Sequence, residues 1–558
     1  MTKALARIRA AWGVPIRRTH KLDAISEWHR SRARAQDNTG FLDDRTWADL
    51  NLDDVFKACD RTESTLGQCA LYHRLRTAPT ADHLDAFEAL VERLSTDTPA
   101  RERAQLALGR LQDPNGYDLW WLAHPNAIET RPWHALFPAL ATTALFLLAL
   151  MPMWHALIPP FIGVVIASIA VRAATDRRTL TVATAFRQLA PIIATGQALA
   201  FLHRDDAAPI TAPLSTDAPR LGLLKTIARW VSGDPLMMSV NPNGLAVVAT
   251  DVISVIYEYV NIVFLLDANG VYFGASALRA QAPALLRVLA AVGDVDAAIS
   301  VASYRAGLAT WTRPQFLPPG STATLTDACH PLVADAVPNS IALAPARGLV
   351  VTGSNMSGKS TFLRTVGVNV ILAQTMHTCL ARAYTAPGFT VRSCIGRSDD
   401  LLGGKSYYIV EVESLLELVR AGHTGTPQLF LLDELFRGTN AVERIAAGQA
   451  VLRELITGAE SHLHVAIAAT HDGELVDLLA DRFTAVHFGD QISAEGMAFD
   501  HRLKPGRATT RNAIALLRLH GAPERLLQDA EQCASTLDER QKAIERQKAD
   551  ERQKAEGG

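Results

Sequence analysis

Cysteine is scarce and scattered in this chain. Its six cysteines, Cys59, Cys69, Cys329, Cys379, Cys394 and Cys533, form no C-x-x-C pair. Neither a disulfide framework nor a zinc site is suggested, and a reducing compartment fits. Charge is also sparse. Asp, Glu, Lys and Arg make up 20% of the 558 residues and leave a net charge of −2, where an average soluble domain carries about 25% charged residues. No global field draws the chain to nucleic acid or acidic lipid, so any such contact has to come from a local patch. The start, Met1-Thr2-Lys3-Ala4-Leu5-Ala6-Arg7, has no uninterrupted apolar core, and no cleavable signal peptide is expected. Apolar residues reach 48%, ample for the cores of several domains at about 100–200 residues each.

The sharpest absence is local. From Pro132 to Val171 there are 40 residues without one Asp, Glu, Lys or Arg. Ala135–Met153 is long enough to cross a bilayer core, which takes about 20 apolar residues, and Ala156–Val171 is a shorter second pass. Pro152 and Trp154-His155 sit where a hairpin turns. Arg131 precedes the pair, and Arg172, Arg177 and Arg178 follow it. Lys and Arg on short flanks stay in the cytoplasm. The expectation is a transmembrane hairpin over 131–172, anchoring the protein in the inner (cytoplasmic) membrane with its domains facing the cytoplasm. The competing reading is a hairpin buried in the core of a cytoplasmic protein, and Pro159-Pro160 in the second span speaks for it.

Around that stretch the pattern is helical. Residues 1–40 form a basic, helix-prone arm with Arg7, Arg9, Arg17, Arg18, Lys21, Arg30, Arg32 and Arg34, read as a solvated helical face or as an arm facing phosphate or lipid. Over 41–130, Leu50, Leu52, Val55 and Phe56, and then Leu66, Leu71, Leu75, Leu84, Phe87 and Leu90, lie near helical spacing. Residues 173–322 return to long helices, with candidates at Thr179–Leu202, Gly244–Leu266 and Arg279–Leu308. Asp251 and Glu258 argue against a further membrane span there. Arg313-Pro314 and Pro318-Pro319-Gly320 mark a linker. Residues 323–530 alternate apolar strands with helices, the signature of a doubly wound, mostly parallel sheet. The tail, 531–558, repeats Glu-Arg-Gln-Lys-Ala from Glu539, Glu545 and Glu551 with no apolar stripe, and reads as a solvated helix rather than a coiled coil.

Chemistry concentrates in the α/β region. Gly353-Ser354-Asn355-Met356-Ser357-Gly358-Lys359-Ser360 fits G-x-x-x-x-G-K-[ST]. It follows the apolar run Gly348–Thr352 and opens a helical run from Thr361 to about Thr375. That context makes the pattern a phosphate cradle, in which backbone N–H groups and the helix N-terminus converge on an anion. Lys359 is then expected to reach the β- and γ-phosphates of ATP, and Ser360 to ligate Mg²⁺. The run Leu429-Phe430-Leu431-Leu432 ends in Asp433-Glu434. Asp433 is expected in the same metal shell, and Glu434 is expected to orient or deprotonate the attacking water. A third apolar run, Ala466–Ala469, ends in Thr470-His471, where His471 would sense the γ-phosphate through water or simply cap a strand at the surface.

These residues resemble a known family. Gly353 to Ser360, with Thr361-Phe362-Leu363-Arg364, is similar to the phosphate loop of MutS-type mismatch-repair ATPases, whose variant carries Asn-Met-Ser as Asn355-Met356-Ser357 does. Ser398-Asp399-Asp400 followed by Ser406-Tyr407-Tyr408-Ile409-Val410-Glu411 resembles the family's signature segment. The resemblance implies that Ser406 reaches the nucleotide of a partner subunit. Asp433 through Asn440 resembles the family's Walker B and following loop, Thr470-His471 its switch histidine, and Asn512-Ala513 its closing C-terminal element. Cys329-His330-Pro331 and Pro338-Asn339 resemble the ATPase entrance. Asp60-Arg61-Thr62 with Thr65-Leu66-Gly67 resembles the start of the family's helical core, and Gly293-Asp294-Val295-Asp296 the end of its lever. The implied architecture is an α/β P-loop ATPase domain preceded by an all-α core and lever with an apolar hairpin. The implied activity is Mg²⁺-dependent ATP hydrolysis by a homodimer joined through its ATPase domains. The implied role is DNA binding related to mismatch repair, with nucleotide state coupled to a clamp-like motion.

The departures are as specific. The resemblance begins near residue 45, which leaves no room for N-terminal mismatch-reading domains. The hairpin falls where the family's DNA clamp is inserted. Phe436 and Lys405 stand where glycines are common, and Glu443-Arg444 where Asp-Gly is usual. They imply an alternative, a membrane-tethered MutS-like ATPase that does not read mismatches and acts on a protein partner or other DNA structures.

Overall fold

The structure is a computed structural model. It describes residues 2–36, 42–111, 131–174, 188–232, 259–354, 357–396, 407–423, 425–457, 463–493, 496–508, 514, 517–518, 520–536 and 539. The chain forms two units. The first comprises Met1–Phe41, Asp53–Trp311 and Leu372–Thr378; the second comprises Leu42–Leu52, Thr312–Ile371 and Cys379–Gly558.

Every named element of the first unit is a helix. Its spine is Leu266–Ala306, 41 residues long, packed against Thr65–Arg76 and Ala81–Thr96. Leu285, Val288, Val292, Val295 and Ile299 are buried along the spine, and Leu66, Leu71, Leu75, Leu84, Phe87 and Leu90 are buried on its neighbours. These are stripes of one apolar face at helical spacing. Two stretches that carry the family resemblance meet here. Asp296 accepts the N–H groups of Glu63 and Ser64, each at 2.8 Å, and the Ser64 hydroxyl at 2.6 Å. Ser64 in turn caps Thr65–Arg76, its Oγ accepting the Gly67 N–H at 3.1 Å. A Cβ on Gly67 would fall 2.2 Å from Asp296 Oδ2, and one on Gly293 would fall 3.0 Å from the Leu66 carbonyl oxygen. Glycine at both points lets the helices cross this closely.

Near the end of the spine, Arg305 is buried. Its guanidinium forks onto Glu88, Nη1 to Oε1 at 2.8 Å and Nη2 to Oε2 at 2.6 Å. It also donates to the carbonyls of Met376 at 2.8 Å and His377 at 3.1 Å, and to Thr378 Oγ1 at 2.9 Å. Those carbonyls close the helix Lys359–Met376, whose last groups have no partner inside the helix. Part of the basic arm is also paired within this unit. Arg9 pairs with Glu102 at 2.6 Å, and Arg18 Nε donates to Asp60 at 3.0 Å.

The apolar hairpin is two helices packed on each other, Leu136–Leu150 and Ile158–Ala174. With their leading turns they give two stretches long and apolar enough to cross a membrane. Pro132–Leu150 has a mean hydropathy of 1.7 and is 17% buried; His155–Ala174 has 2.0 and is 6% buried. Leu145, Phe146, Ile162, Ile166 and Ile169 are each more than half exposed. This exposure differs from the buried hairpin of the competing reading.

The second unit holds two mixed sheets. Its strands are β1 (Gln315–Phe316), β2 (Ala323–Ala328), β3 (Asn339–Leu343), β4 (Arg347–Thr352), β5 (Ala383–Ala386), β6 (Thr390–Cys394), β7 (Gln428–Asp433), β8 (Val465–Ala469), β9 (Phe483–Ser493) and β10 (Gly496–Pro505). One sheet has the order β1-β5-β2-β3 and the other β10-β9-β4-β8-β7-β6. In the larger sheet β9, β4, β8, β7 and β6 are parallel and β10 is antiparallel. β8 is buried along its whole length, and β4 and β7 all but their end residues, which is why they read as continuous apolar runs. Residues 315–316 lie inside the expected linker yet form β1, because the strand pairs in parallel with β5. The short helix Asp44–Asp49 belongs to this unit. Asp49 accepts the Ser393 hydroxyl and the N–H groups of Ile395 and Gly396 at 2.7–2.8 Å, closing the end of β6.

Candidate nucleotide site

Register brings the sequence motifs to one edge. Val351 on β4 and Asp433 on β7 both lie opposite Ala469 on β8, one on each side. The glycine loop leaves β4 at this edge, Asp433 ends β7, and His471 stands two residues past β8. The carboxyl ends of parallel strands are where ligands sit in open α/β sheets. Gly353 and Gly358 take φ values of +147° and +111°, open to glycine and closed to most side chains. A Cβ on Gly353 would fall 2.8 Å from Ser357 Oγ.

Lys359 opens the helix Lys359–Met376, and its Nζ donates to the carbonyls of Gly353 at 2.8 Å and Ser354 at 3.0 Å. Burial pulls the Lys359 pKa down, while Glu434 and Asp433 push it up. Ser360 Oγ donates to Asp433 Oδ2 at 2.5 Å across 73 residues of sequence. Burial raises the Asp433 pKa against the Ser360 hydrogen bond. Asp433 Oδ1, Ser354 Oγ and Ser357 Oγ are buried with no partner among the described residues. A hydroxyl and a carboxylate with an oxygen to spare form a donor set suited to a hard cation such as Mg²⁺. Orphaned hydroxyls around a glycine cradle suit a phosphate. The residues present therefore fit both groups.

Glu434 and Phe436 follow with φ of +51° and +56°, left-handed backbone that costs a side-chain-bearing residue about 1–2 kcal/mol. The resemblance expects glycine at Phe436, and this is a conformation glycine takes freely. The Phe436 ring is buried in the core of the unit. The Glu434 N–H donates to the Ala469 carbonyl at 2.9 Å. Its carboxylate pairs with Arg437 and lies 3.6 Å from His471 Nδ1. The Glu434 contact holds the His471 pKa above its ordinary value, with burial opposing. Arg444, at one of the departures, clamps Asp472 beside His471 with two bonds of 2.9 Å.

A cavity of about 390 Å³ opens beside the loop, lined in part by His330, Val337, Thr361, Phe362, Phe488 and His501. Burial, with Arg364 adding, pushes His330 down to about 4, and its Nε2 has no partner among the described residues. His501 Nδ1 lies 3.0 Å from the Ser357 carbonyl oxygen, a contact across 144 residues. Sequence reasoning found neither Phe488 nor His501, since β9 and β10 carry no motif. It also assigned no role to Arg437. Asn355, Met356 and Ser406 lie outside the described residues, as do Ser398–Asp400, Lys405 and Asn512-Ala513.

Residues 349–538 match the family model for MutS domain V. A DNA mismatch repair protein MutS from Thermus thermophilus is 32% identical over 272 residues, 48% of this chain and 31% of that protein. A DNA mismatch repair protein MutS 2 from Halobacterium salinarum is 35% identical over 265 residues, 45% of this chain and 28% of that protein. The chain thus spans about a third of the length of the curated relatives it matches. The region that holds the glycine loop, Asp433 and Glu434 is therefore similar to domain V of MutS proteins.

Proposed function

We propose that the second unit binds ATP with Mg²⁺ and hydrolyses it. The observation that carries this reading is the 2.5 Å contact between Ser360 and Asp433, with Lys359 and Glu434 beside it. Ser360 and Asp433 hold the ion, which supplies Lewis-acid charge at the phosphates. Lys359 and the amides of residues 353–361 hold the phosphate chain, Asn355 and Met356 among them. Glu434 accepts the proton of the attacking water, and His471, pinned by Glu434 and Asp472, reports the terminal phosphate. The cavity beside His330 and His501 takes the base. The run of five parallel strands with intervening helices supports a doubly wound sheet. Two copies meet through these units, each supplying Ser406 to the other, and nucleotide state drives a clamp-like motion on DNA.

The test is phosphate release by the purified full chain with no DNA, duplex, mismatched and branched DNA. The expected result is Mg²⁺-dependent turnover that at least one DNA form changes, with DNA binding that weakens steeply as salt rises. Turnover blind to every DNA form removes the DNA-coupled reading.

The exposed hairpin favours a second reading, a membrane-tethered ATPase acting on a protein partner or other DNA structures. Helices 17% and 6% buried leave a large apolar face for lipid. Cell fractionation tests it. The expected result is recovery with membranes, released by detergent but not by high salt. Recovery wholly in the soluble fraction contradicts it.

A further inference from the structure

We propose that Glu411 is a positioning residue for hydrolysis, setting the loop that aims Glu434 at the phosphate site. The proposal rests on the ATPase reading above.

The helix Tyr407–Ala421 brings Tyr408, Glu411 and Leu415 to one face at i, i+3 and i+7. All three touch or underlie the loop that follows β7. Leu415 is buried in one cluster with Leu432, Leu435 and Phe436. Glu411, 6% exposed, accepts the Phe436 N–H at 2.6 Å through Oε1. Tyr408 covers the far end of the loop, since a Cβ on Gly438 would meet its ring at 3.2 Å.

The loop needs this seat. Two residues with side chains, Glu434 and Phe436, are left-handed within three positions. Such backbone persists only where its surroundings over-determine it. The near end is fixed by the Glu434 N–H on the Ala469 carbonyl, at 2.9 Å. The far end is fixed by the Phe436 ring in the core and by the Glu411 carboxylate on its amide. A charged acceptor in a buried setting makes the stronger class of hydrogen bond. Rotation of the peptide before Phe436 would turn its N–H away from Glu411 and swing Leu435 and Glu434 with it. Through the Phe436 amide, Glu411 bears on the loop that carries Glu434.

The experiment measures steady-state phosphate release, and equilibrium binding of a fluorescent ATP analogue, for full-length Glu411→Leu, Glu411→Gln and Glu411→Asp. Glu411→Leu removes the acceptor and is expected to lower kcat by about 100-fold, the cost of roughly 1 Å misplacement at a reacting centre, with KM and analogue binding within about threefold of the parent. Glu411→Gln keeps an acceptor oxygen and is expected to recover at least tenfold of that loss. Should the leucine variant fail to fold, Glu411→Asp, which retracts the acceptor by one methylene, is expected to lower kcat without loss of binding. Unchanged kcat in the variants that fold overturns the proposal. So does a parallel fall of kcat and analogue binding. A parent protein that binds no ATP and releases no phosphate overturns the ATPase reading and the proposal with it; an active parent beside an unaffected leucine variant overturns the proposal alone.

Discussion

Glu434→Ala is expected to lower ATP hydrolysis by about 10²–10⁴-fold, the usual worth of a positioned general base, while the nucleotide still binds. The groups proposed to hold phosphate and metal are elsewhere. Lys359 is anchored to the carbonyls of Gly353 and Ser354, and Ser360 to Asp433. Removing that carboxylate also leaves Arg437 and His471 without the negative charge they share. The site becomes more positive, so binding of a tri-anionic or tetra-anionic nucleotide is expected to hold or tighten. Lys359→Ala is the contrasting case, with a charge lost from the cradle and weaker binding at the outset. Phosphate release and equilibrium binding of a fluorescent analogue separate the two. Equal loss of binding and turnover in Glu434→Ala would contradict its role as the base.

Glu88→Ala is expected to destabilise the helical unit by about 3–5 kcal/mol, the cost of stranding one member of a buried ion pair. Side-chain exposure is 5% for Arg305 and 8% for Glu88. Arg305 carries more than the pair, because the same guanidinium serves the Met376 and His377 carbonyls and Thr378. Arg305→Ala therefore strands the Glu88 carboxylate and also takes a donor from the Met376 and His377 carbonyls and from Thr378 Oγ1, and is expected to cost at least as much. Glu88→Gln, which keeps an oxygen for Nη1, is expected to be milder. Differential scanning calorimetry of the full chain reads the result as a fall in the helical unit's transition of roughly 10 °C for the alanine variants. A shift within 2 °C for Glu88→Ala would mean that Arg305 finds water or another acceptor.

The parts of the site legible in sequence were those fixed by covalent neighbours. A glycine loop between a strand and a helix, and an apolar run ending in two acids, are local patterns, and register then sets Val351, Ala469 and Asp433 side by side. The stripes Leu66–Leu75 and Leu84–Leu90 were legible for the same reason. What escaped was set by partners distant in the chain. Asp296 makes sense only beside Ser64, Arg305 only beside Glu88 and Met376, and His501 only beside Ser357. Helix Asp44–Asp49 belongs to the second unit through Asp49 and the end of β6, a union that no periodicity announces. Phe436 was visible as a departure from glycine, but its left-handed backbone was not, since φ belongs to the loop and not to the residue type.

The most direct test of the central claim is a crystal structure of the full chain grown with Mg²⁺ and a non-hydrolysable ATP analogue. The phosphates are expected against the amides of residues 353–361, with the metal bound by Ser360 Oγ and Asp433. An analogue seated elsewhere, or a metal that ignores Asp433, would contradict the account.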